Sequence, residues 1–554
     1  MNWKIKTKLK SETDNREQEI IDALLLNRKI SIKENKEFLN PTHPSKILAS
    51  SLLSEKEIKK AISRIKKAIK EKEKEKVIVY GDYDADGICA TAIIWETLAC
   101  LGVDVMPFVP SREDGYGLKN EKIKEFSKEK VSLIITVDQG IVHGDQVDFA
   151  KKLKIDVIIT DHHEPEKEIP KALAVVHTTK LAGVGVAWFL SREILKAFKI
   201  ERGEDYLLDL AAIGTITDMV PLLHVNRSIA IHGIKSLKFS ERRGLGFLYQ
   251  RAGIDKNKIQ AWEVGFLIGP RINASGRMSD PMDALRLLCT IDSKRAGVLA
   301  DKIDANNKER QILTKQIVDH ARKAWIKEGG ESSLIFIYDE SYSHGVIGLA
   351  ASRMKDEFYK PAVILAPRKD YWVASARSIE EFSIIDAIRE CSSLIKDHGG
   401  HKLAAGFSVS SENLEKIKGK LSKIAEKSLA KVDLTPTINV DMEINLSDIT
   451  FELIEKILLF EPFGVSNSKP IFLLKNLSIL DTRRVGTDAT HLKLVFSDAK
   501  LGKSISGIYF SGAFILNELD TDKLVDVIFS PTINEFNGKR NLELFVKDIR
   551  SSGK

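Results

Sequence analysis

The sequence predicts an α/β protein of several domains: a doubly wound parallel-sheet domain, a second α/β domain joined to it by a long helix, and a small C-terminal β-barrel. Three observations predict it. Between residue 77 and about residue 180, short and wholly apolar runs alternate with helical or loop-like stretches, the pattern of parallel strands covered on both faces. The alternation restarts near residue 333, after one long amphipathic stretch. From about residue 432 onward, six apolar runs follow one another at close spacing, as in a small barrel. A length of 554 residues accommodates such a set of separate cores.

The elements justify this in order. Residues 1–50 are polar and weakly patterned and read as an N-terminal extension. Ser54 with Glu57 forms a capping box before Ile58, Ala61, Ile62, Ile65, Ala68 and Ile69, which fall at helical spacing. The first α/β domain, 51–235, holds the runs VIVY, VMPFVP, LIITV, DVIIT and LAVV. Residues 236–325 read as a helical connector ending in the long helix DKIDANNKERQILTKQIVDHARKAW. The second α/β domain, 326–431, holds LIFIY, GVIGLAASRM and PAVILAP, then HGGHKLAAGFSV and a linker rich in Lys and Ser. In 432–554, Asn537-Gly538 between two apolar runs is a hairpin signal. The OB-fold is one barrel of this size, and it binds single strands.

Composition bounds the partners only loosely. The formal net charge is +7, which a polyanion fits without being required. The four cysteines, Cys89, Cys100, Cys289 and Cys391, show no C-x-x-C spacing, so zinc ribbons, redox pairs and disulfide frameworks are disfavoured and a reducing compartment is expected. No stretch reads as a signal peptide or membrane span, so the expected location is cytoplasmic.

The informative feature is where the acidic residues fall. VIVY runs into Gly81-Asp82-Tyr83-Asp84-Ala85-Asp86-Gly87, LIITV into Asp138-Gln139-Gly140, and DVIIT into Asp161-His162-His163-Glu164. A fourth segment, AAIGTITDMVPL, sets Asp218 inside an apolar run. Taken singly, each is an ordinary loop or cap. Together, on parallel neighbouring strands, the first three converge on one sheet edge, where so many carboxylates need cations. Oxygen ligands with one or two histidines suit Mn²⁺ or Mg²⁺, and a pair of such ions is a standard device for phosphoryl transfer to water.

Asp161-His162-His163 with the G-D-Y-D-A-D-G loop, the V-D-x-G loop and G-T-x-x-D-M-V-P-L resembles the four motifs of the DHH phosphoesterases. The resemblance implies that Asp84, Asp86, Asp138, His162 and Asp218 hold two divalent metal ions, Mn²⁺ or Mg²⁺, with Asp138 bridging. Asp82 joins the set through a water, His163 faces the substrate phosphate, and Asp161 orients the histidines. The parallel-sheet domain is then DHH-type, and the second α/β domain DHH-associated.

Further strings resemble the RecJ-like branch of that family, single-strand-specific 5′→3′ DNA exonucleases. They are Pro110-Ser111-Arg112 with Gly115-Tyr116-Gly117-Leu118, the run Leu181 to Ala187, Gly269-Pro270-Arg271-Ile272-Asn273-Ala274-Ser275-Gly276-Arg277, Gly345-Val346-Ile347-Gly348, Ser375-Ala376-Arg377-Ser378, Gly399-Gly400-His401, Glu461-Pro462-Phe463-Gly464 and Asn534 to Gly538. The resemblance runs from about residue 50 to the end. It implies DNA or phosphate contacts from Arg112, Tyr116, Arg271, Asn273, Arg277, Arg353, Ser375, Arg377, Gly399, Gly400 and His401. Arginines clamp phosphates bidentately, glycines let backbone approach, and Tyr116 can stack on a base. In the barrel, Arg483, Arg484, Lys493, Lys539 and Arg540 are candidate backbone contacts, and Phe496, Tyr509 and Phe536 candidate stacking surfaces.

The expected function is release of 5′ mononucleotides from single-stranded DNA in repair and recombination. A monomer is expected, with a single-strand-binding protein and a helicase as partners. Gln139, His177-Thr178-Thr179 and Tyr342-Ser343 depart from the family pattern without touching an expected ligand. Two other readings are a DHH phosphodiesterase of oligoribonucleotides or cyclic dinucleotides, and an inactive DNA-binding scaffold.

Overall fold

The computed structural model describes residues 1–554 except 10–14, 72–74, 113, 114, 116, 518, 521, 522, 537 and 554. In chain order the strands are β1 (Asn2–Thr7); β2 (Lys76–Tyr80), β3 (Val105–Phe108), β4 (Val131–Val137), β5 (Asp156–Asp161) and β6 (Ala174–His177); β7 (Ile335–Tyr338), β8 (Ala362–Arg368), β9 (Tyr371–Arg377), β10 (Asp397–His401) and β11 (Ala404–Val409); then β12 (Thr437–Glu443), β13 (Phe472–Val485), β14 (His491–Asp498), β15 (Lys503–Tyr509), β16 (Val525–Phe536) and β17 (Lys539–Ser551). The chain divides into two compact units. One comprises Ala49–Asp218 and Ser236–Pro436; the other comprises Met1–Leu48, Met219–Lys235 and Thr437–Lys554.

In the first unit, β3-β2-β4-β5-β6 form a wholly parallel sheet. Ile78, Ile134 and Ile159 are buried, which is why these strands read as unbroken apolar runs. β2 leads to β3 on one side, while β4 leads to β5 on the other. The gap between the carboxyl ends of β2 and β4 is therefore the topological switch point where such sheets bind ligands. The predicted helix forms over Glu55–Lys70 and buries Ile58, Ala61, Ile65 and Ala68. Only half of the capping box does: Ser54 accepts from the Glu57 N–H, but the Glu57 carboxylate accepts from the Val175 N–H on β6.

The predicted long helix spans Ser293–Lys327 and leads to a mixed sheet ordered β10-β11-β9-β8-β7, in which only β7 and β8 run parallel. The Lys/Ser-rich stretch expected as a linker is instead the helix Leu414–Leu429. It buries Leu414, Ile417, Leu421, Ala425 and Leu429 against the sheet core while its lysines face water.

In the second unit, β13-β14-β15-β17-β16 close on themselves through pairing of β13 with β16, with β15 and β17 parallel. That is the five-stranded barrel expected of an OB-fold. Asn537 lies outside the described residues, but β16 and β17 pair as the predicted hairpin, with Phe536 opposite Lys539. Residues 1–48, read as a weakly patterned extension, supply real structure to this unit. β1 pairs in parallel with β12, and the helix Arg16–Asn27 sends Ile20, Ile21, Leu24 and Leu25 into the barrel core. Arg227 ties the pieces together, donating to the carbonyls of Phe38, Leu459, Phe460 and Glu461 at 2.7 to 2.9 Å.

Candidate metal centre and nucleic-acid surfaces

Each expected ligand stands at the end of an element that aims it at the switch point. Asp84 is the N-cap of the helix Ala85–Cys100 and accepts from the Gly87 N–H at 3.0 Å. Asp86, in the first turn, accepts from the N–H groups of Gly183 and Val184 at 2.7 and 2.9 Å. Those belong to the helix Gly183–Ala197, whose N-cap is Ala182 and has no capping side chain, so Asp86 caps it from the neighbouring helix Ala85–Cys100. Gly183 is required by space, because a Cβ there would lie 2.3 Å from Asp138 Oδ1. Asp138 follows β4 at φ +60°, a left-handed conformation that costs an aspartate something and is kept where it aims a functional group. Asp218 ends the helix Leu208–Thr217.

The side chains converge. His162 Nε2 lies 3.2 Å from Asp138 Oδ1, 3.7 Å from Asp218 Oδ2 and 4.0 Å from Asp86 Oδ2. Three sets of ligand atoms each fall within 4.8 Å of one another: Asp82, Asp84 and Asp138; Asp86, His162 and Asp218; and Asp138, His162 and His163. Asp138 and His162 each belong to two of them, and of the two only the carboxylate has a second oxygen to share.

The residues fit a pair of hard divalent cations. Asp82 Oδ1, Asp138 Oδ1, His162 Nε2 and Asp218 Oδ2 are buried and make no hydrogen bond. Orphaned acceptors of this kind cost free energy unless a ligand satisfies them. Burial, then the neighbouring carboxylates, push Asp82 up to about 8, Asp86 to about 7 and Asp218 to about 9, and raise Asp138 well above the carboxylate range. Burial and the adjacent His163 lower His162 to about 4, leaving a neutral imidazole suited to ligation.

Asp161 lies against both histidines. It is fully buried, and its carboxylate accepts from the N–H groups of Ile141, His162 and His163 and from His163 Nδ1 at 2.8 Å. Burial opposes charge on both groups, but their mutual contact lowers Asp161 and raises His163. That contact favours the protonated form of His163 beside the carboxylate cluster.

The expected substrate residues divide. Arg112 lies over the Tyr83 ring at 4.7 Å and donates to the Gly276 carbonyl. Arg277 donates to the Gly345 carbonyl, and Arg377 to Ser375 Oγ and the Ala376 carbonyl. Sheet register sets Ser375 opposite Gly406 and Gly406 opposite Gly399, and likewise Arg377, Ala404 and His401 in the next row on that face. Gly400, between these rows, has φ +140°, and a Cβ there would lie 2.4 Å from the Ala404 carbonyl oxygen. Arg353 is exposed and lines an open hollow of mixed charge with Lys315, Arg322, Asp319, Asp356 and Glu357. Tyr116 lies outside the described residues.

Arg271 does not fit its expected role. It is buried and bonded to Asp304 at 3.0 Å, which bolts its helix to the long helix. Asn273 is similarly occupied: its Oδ1 accepts from the Ala85 N–H at 2.7 Å and holds the metal loop itself. Sequence reasoning missed Arg310. Burial lowers it, and the charge of Arg353 adds to that, while burial, then Arg112 and Arg310, lower Arg277 to about 10. Its position within the long amphipathic helix gave no signal.

In the other unit, two of the rings expected to stack are core. Phe496 is fully buried and Tyr509 nearly so, and the side chain of Phe536 lies outside the described ones. Phe510 and Phe545 stand on the outside instead, stacked at 5.1 Å, with Lys547 Nζ 4.2 Å from the Phe545 ring and His491 against Phe510. Register aligns Arg483, Lys493, Ile508 and Phe545 across four strands.

Comparison with known proteins agrees with this domain architecture. Family models match at residues 76–215 (DHH family, N-terminal domain), 331–427 (DHHA1 domain) and 440–548 (RecJ OB domain). The single-stranded-DNA-specific exonuclease RecJ of Salmonella typhimurium is 31% identical over 514 residues, covering 86% of this chain and 88% of that protein. The chain belongs to the RecJ family. RecJ of Bacillus subtilis is 36% identical over 509 residues, covering 90% of this chain but 64% of that longer protein. RecJ from Thermus thermophilus, solved in complex with Mn²⁺, superposes with a TM-score of 0.82 at 28% identity, covering all of this chain and 80% of that one. The same protein in complex with Mg²⁺ gives 0.78 at 26%.

Proposed function

We propose that this RecJ-family chain is a metal-dependent exonuclease that hydrolyses single-stranded DNA from the 5′ end to 5′ mononucleotides, in DNA repair and recombination. The observation that carries it is the set of six side chains, Asp82, Asp84, Asp86, Asp138, His162 and Asp218, gathered at the switch point with orphaned buried atoms. Two divalent ions, Mn²⁺ or Mg²⁺, are the cofactors, and when bound they supply Lewis-acid chemistry, drawing charge from the phosphoryl oxygens and acidifying the attacking water.

The chain's own residues do the rest. Water oxygen bonds to phosphorus and gives up a proton, and the bond from phosphorus to the 3′ oxygen breaks, that oxygen taking up a proton to leave as the 3′ hydroxyl of the released nucleotide. The scissile phosphate therefore stays on the shortened strand as its new 5′ end. His163, whose protonated form Asp161 favours, donates a hydrogen bond to the phosphate as charge builds on it. Direction requires a group that stops one end of the strand. Arg112, Ser375 and Arg377, with the open backbone of Gly399 and Gly400 alongside, offer a terminal phosphate both charge and neutral donors.

With this function go a cytoplasmic monomer and, as partners, a single-strand-binding protein and a helicase. No helix of the described residues is long and apolar enough to cross a membrane. A phosphodiesterase of dinucleotides has no need of the barrel with its outward Phe510–Phe545 pair, and an inactive scaffold has no need to keep every ligand.

The test is digestion of 5′- and 3′-labelled strands with Mn²⁺ and with chelator. Labelled mononucleotide should appear first from the 5′ label and only with metal. First release from the 3′ label would overturn the polarity, and cleavage confined to dinucleotides would favour the small-substrate reading.

A further inference from the structure

The chain has six tryptophans, and five of them are placed inside packing. Trp188, Trp325 and Trp372 are buried, Trp95 donates its indole N–H to the Val105 carbonyl, and Trp3 donates to Asp548 beneath Arg550. Trp262 is the exception at 56% exposed, and Phe266, one helical turn on, is 67% exposed. Their rings stack on each other, centroids 5.8 Å apart and planes within 23°. Two large rings held parallel in water forgo the burial that such side chains ordinarily gain, which is the kind of apolar surface that marks a binding site.

Their position says what they bind. Residues 261–278 form one continuous helical run, widened over Val264–Ile268 into a π turn, an irregularity frequent at functional sites. The same run carries Asn273, which holds the metal loop at Ala85, and Arg277. The run lies hard against the end of the helix that presents Asp218: a Cβ on Gly269 would sit 2.2 Å from Thr217 Cγ2, and one on Gly265 3.8 Å from Ile216. The ring pair is thus fixed to the framework of the metal centre, within a few turns of it, by the close approach of the glycine backbone to the Thr217 and Ile216 side chains.

We propose that Trp262 and Phe266 form a stacking site for the unpaired bases of the strand whose phosphate reaches the metal centre. This rests on the proposed function and adds a second contact class to it, base faces beside backbone charge. Parallel aromatic rings accept any base, because every base has a π face, whereas the bases of a duplex are already stacked on one another.

Binding measured in chelator, where nothing is cut, tests it on the full chain. A short oligothymidylate should quench the Trp262 part of the emission, read as the difference between wild type and Trp262→Phe. The phenylalanine variant should keep most of the affinity. The double variant Trp262→Ala/Phe266→Ala should bind the strand roughly tenfold or more weaker and raise KM correspondingly with Mn²⁺, while melting like wild type because both rings are exposed. Phe239→Ala, removing another exposed ring, is the control and should bind as wild type. Wild-type affinity and KM in the double variant would overturn the stacking site and leave the exonuclease standing, as would equal quenching by duplex DNA. A wild-type chain that neither bound nor cut the strand would overturn the proposed function first, and the stacking site with it.

Discussion

Two clusters of buried charge lie in the same unit and are built on opposite rules. On the helix Ala85–Cys100, Glu96 takes a bidentate contact from Arg242 at 2.6 and 3.0 Å. Arg242 also reaches Asp209 and the Leu288 carbonyl at 3.0 Å. Burial works against its charge, but Asp209 and Glu96 outweigh that and raise it. Near the start of the same helix, Asp82, Asp84, Asp86 and Asp138 crowd together with no lysine or arginine bonded to any of them among the described ion pairs. The paired cluster closes on itself and serves the fold. The unpaired one is left open to ligands. Arg112, Arg277, Arg310 and Arg377 are the cationic counterpart, held by carbonyls, amides and hydroxyls with no carboxylate in a described ion pair. A one-signed cluster of either sign is half of an interaction whose other half comes from outside.

The largest expected effect breaks the open cluster. Asp138→Ala should take hydrolysis below detection, since Asp138 is common to two ligand sets and no neighbour replaces it. The metal-free chain should melt at the same temperature or higher, because one of several mutually repelling carboxylates is gone. Near-normal turnover with Mn²⁺ in this variant would sink the two-metal assignment. Arg242→Ala breaks the closed cluster and should do the reverse. It strands Glu96 and Asp209 without a counter-charge and should cost about 3–5 kcal/mol of stability. Chemical denaturation of the metal-free chains checks both signs, and equal stability of the two variants would erase the distinction.

Dependence on pH sharpens the contrast further. Asp82, Asp86 and Asp218 titrate near 8, 7 and 9 in the folded metal-free chain, far above the unfolded value. The folded state therefore holds protons that the unfolded state has released. The stability this contributes is complete below about pH 4 and is lost as pH rises through 7 to 9. In chelator the melting temperature should fall across that window, and saturating Mn²⁺ should remove or invert the slope, because a cation replaces the protons. A flat profile in chelator would mean that the carboxylates are already neutralised by the protein.

The open cluster was legible in the sequence because three of its four segments follow apolar strands. The strand-to-carboxylate junctions at Asp82, Asp138 and Asp161 announce both the sheet edge and the chemistry. What escaped was set by partners distant in sequence. Residues 1–48 look unpatterned because β1 is an edge strand whose mate, β12, lies more than four hundred residues away. Arg271 reads like a phosphate clamp until Asp304 is seen beside it. In the barrel, Tyr509 and Phe510 are adjacent, and only the register decides which ring points inward. A slip of one residue exchanges them, and no local pattern fixes that choice.

The smallest expected effect concerns the cationic half. Arg377 has no carboxylate partner among the described ion pairs. Burial alone lowers it, and its described side-chain bonds run to Ser375 Oγ and the carbonyl of its own neighbour. Gly348 leaves room beside both groups, since a Cβ there would lie 3.0 Å from Ser375 Oγ and 3.2 Å from Arg377 Nη2. An arginine so placed has donors to spare for a terminal phosphate, which carries more charge than an internal one and offers more acceptor oxygens. Arg377→Ala should therefore lower the preference for 5′-phosphorylated over 5′-hydroxyl strands by about 10- to 100-fold, the worth of one or two charge-assisted hydrogen bonds, while Mn²⁺ binding is kept. If Arg377 merely braces β9, both strands should slow by the same factor. Competition between the two strands in one digestion reads the ratio directly, so a general loss of activity cannot imitate the loss of preference.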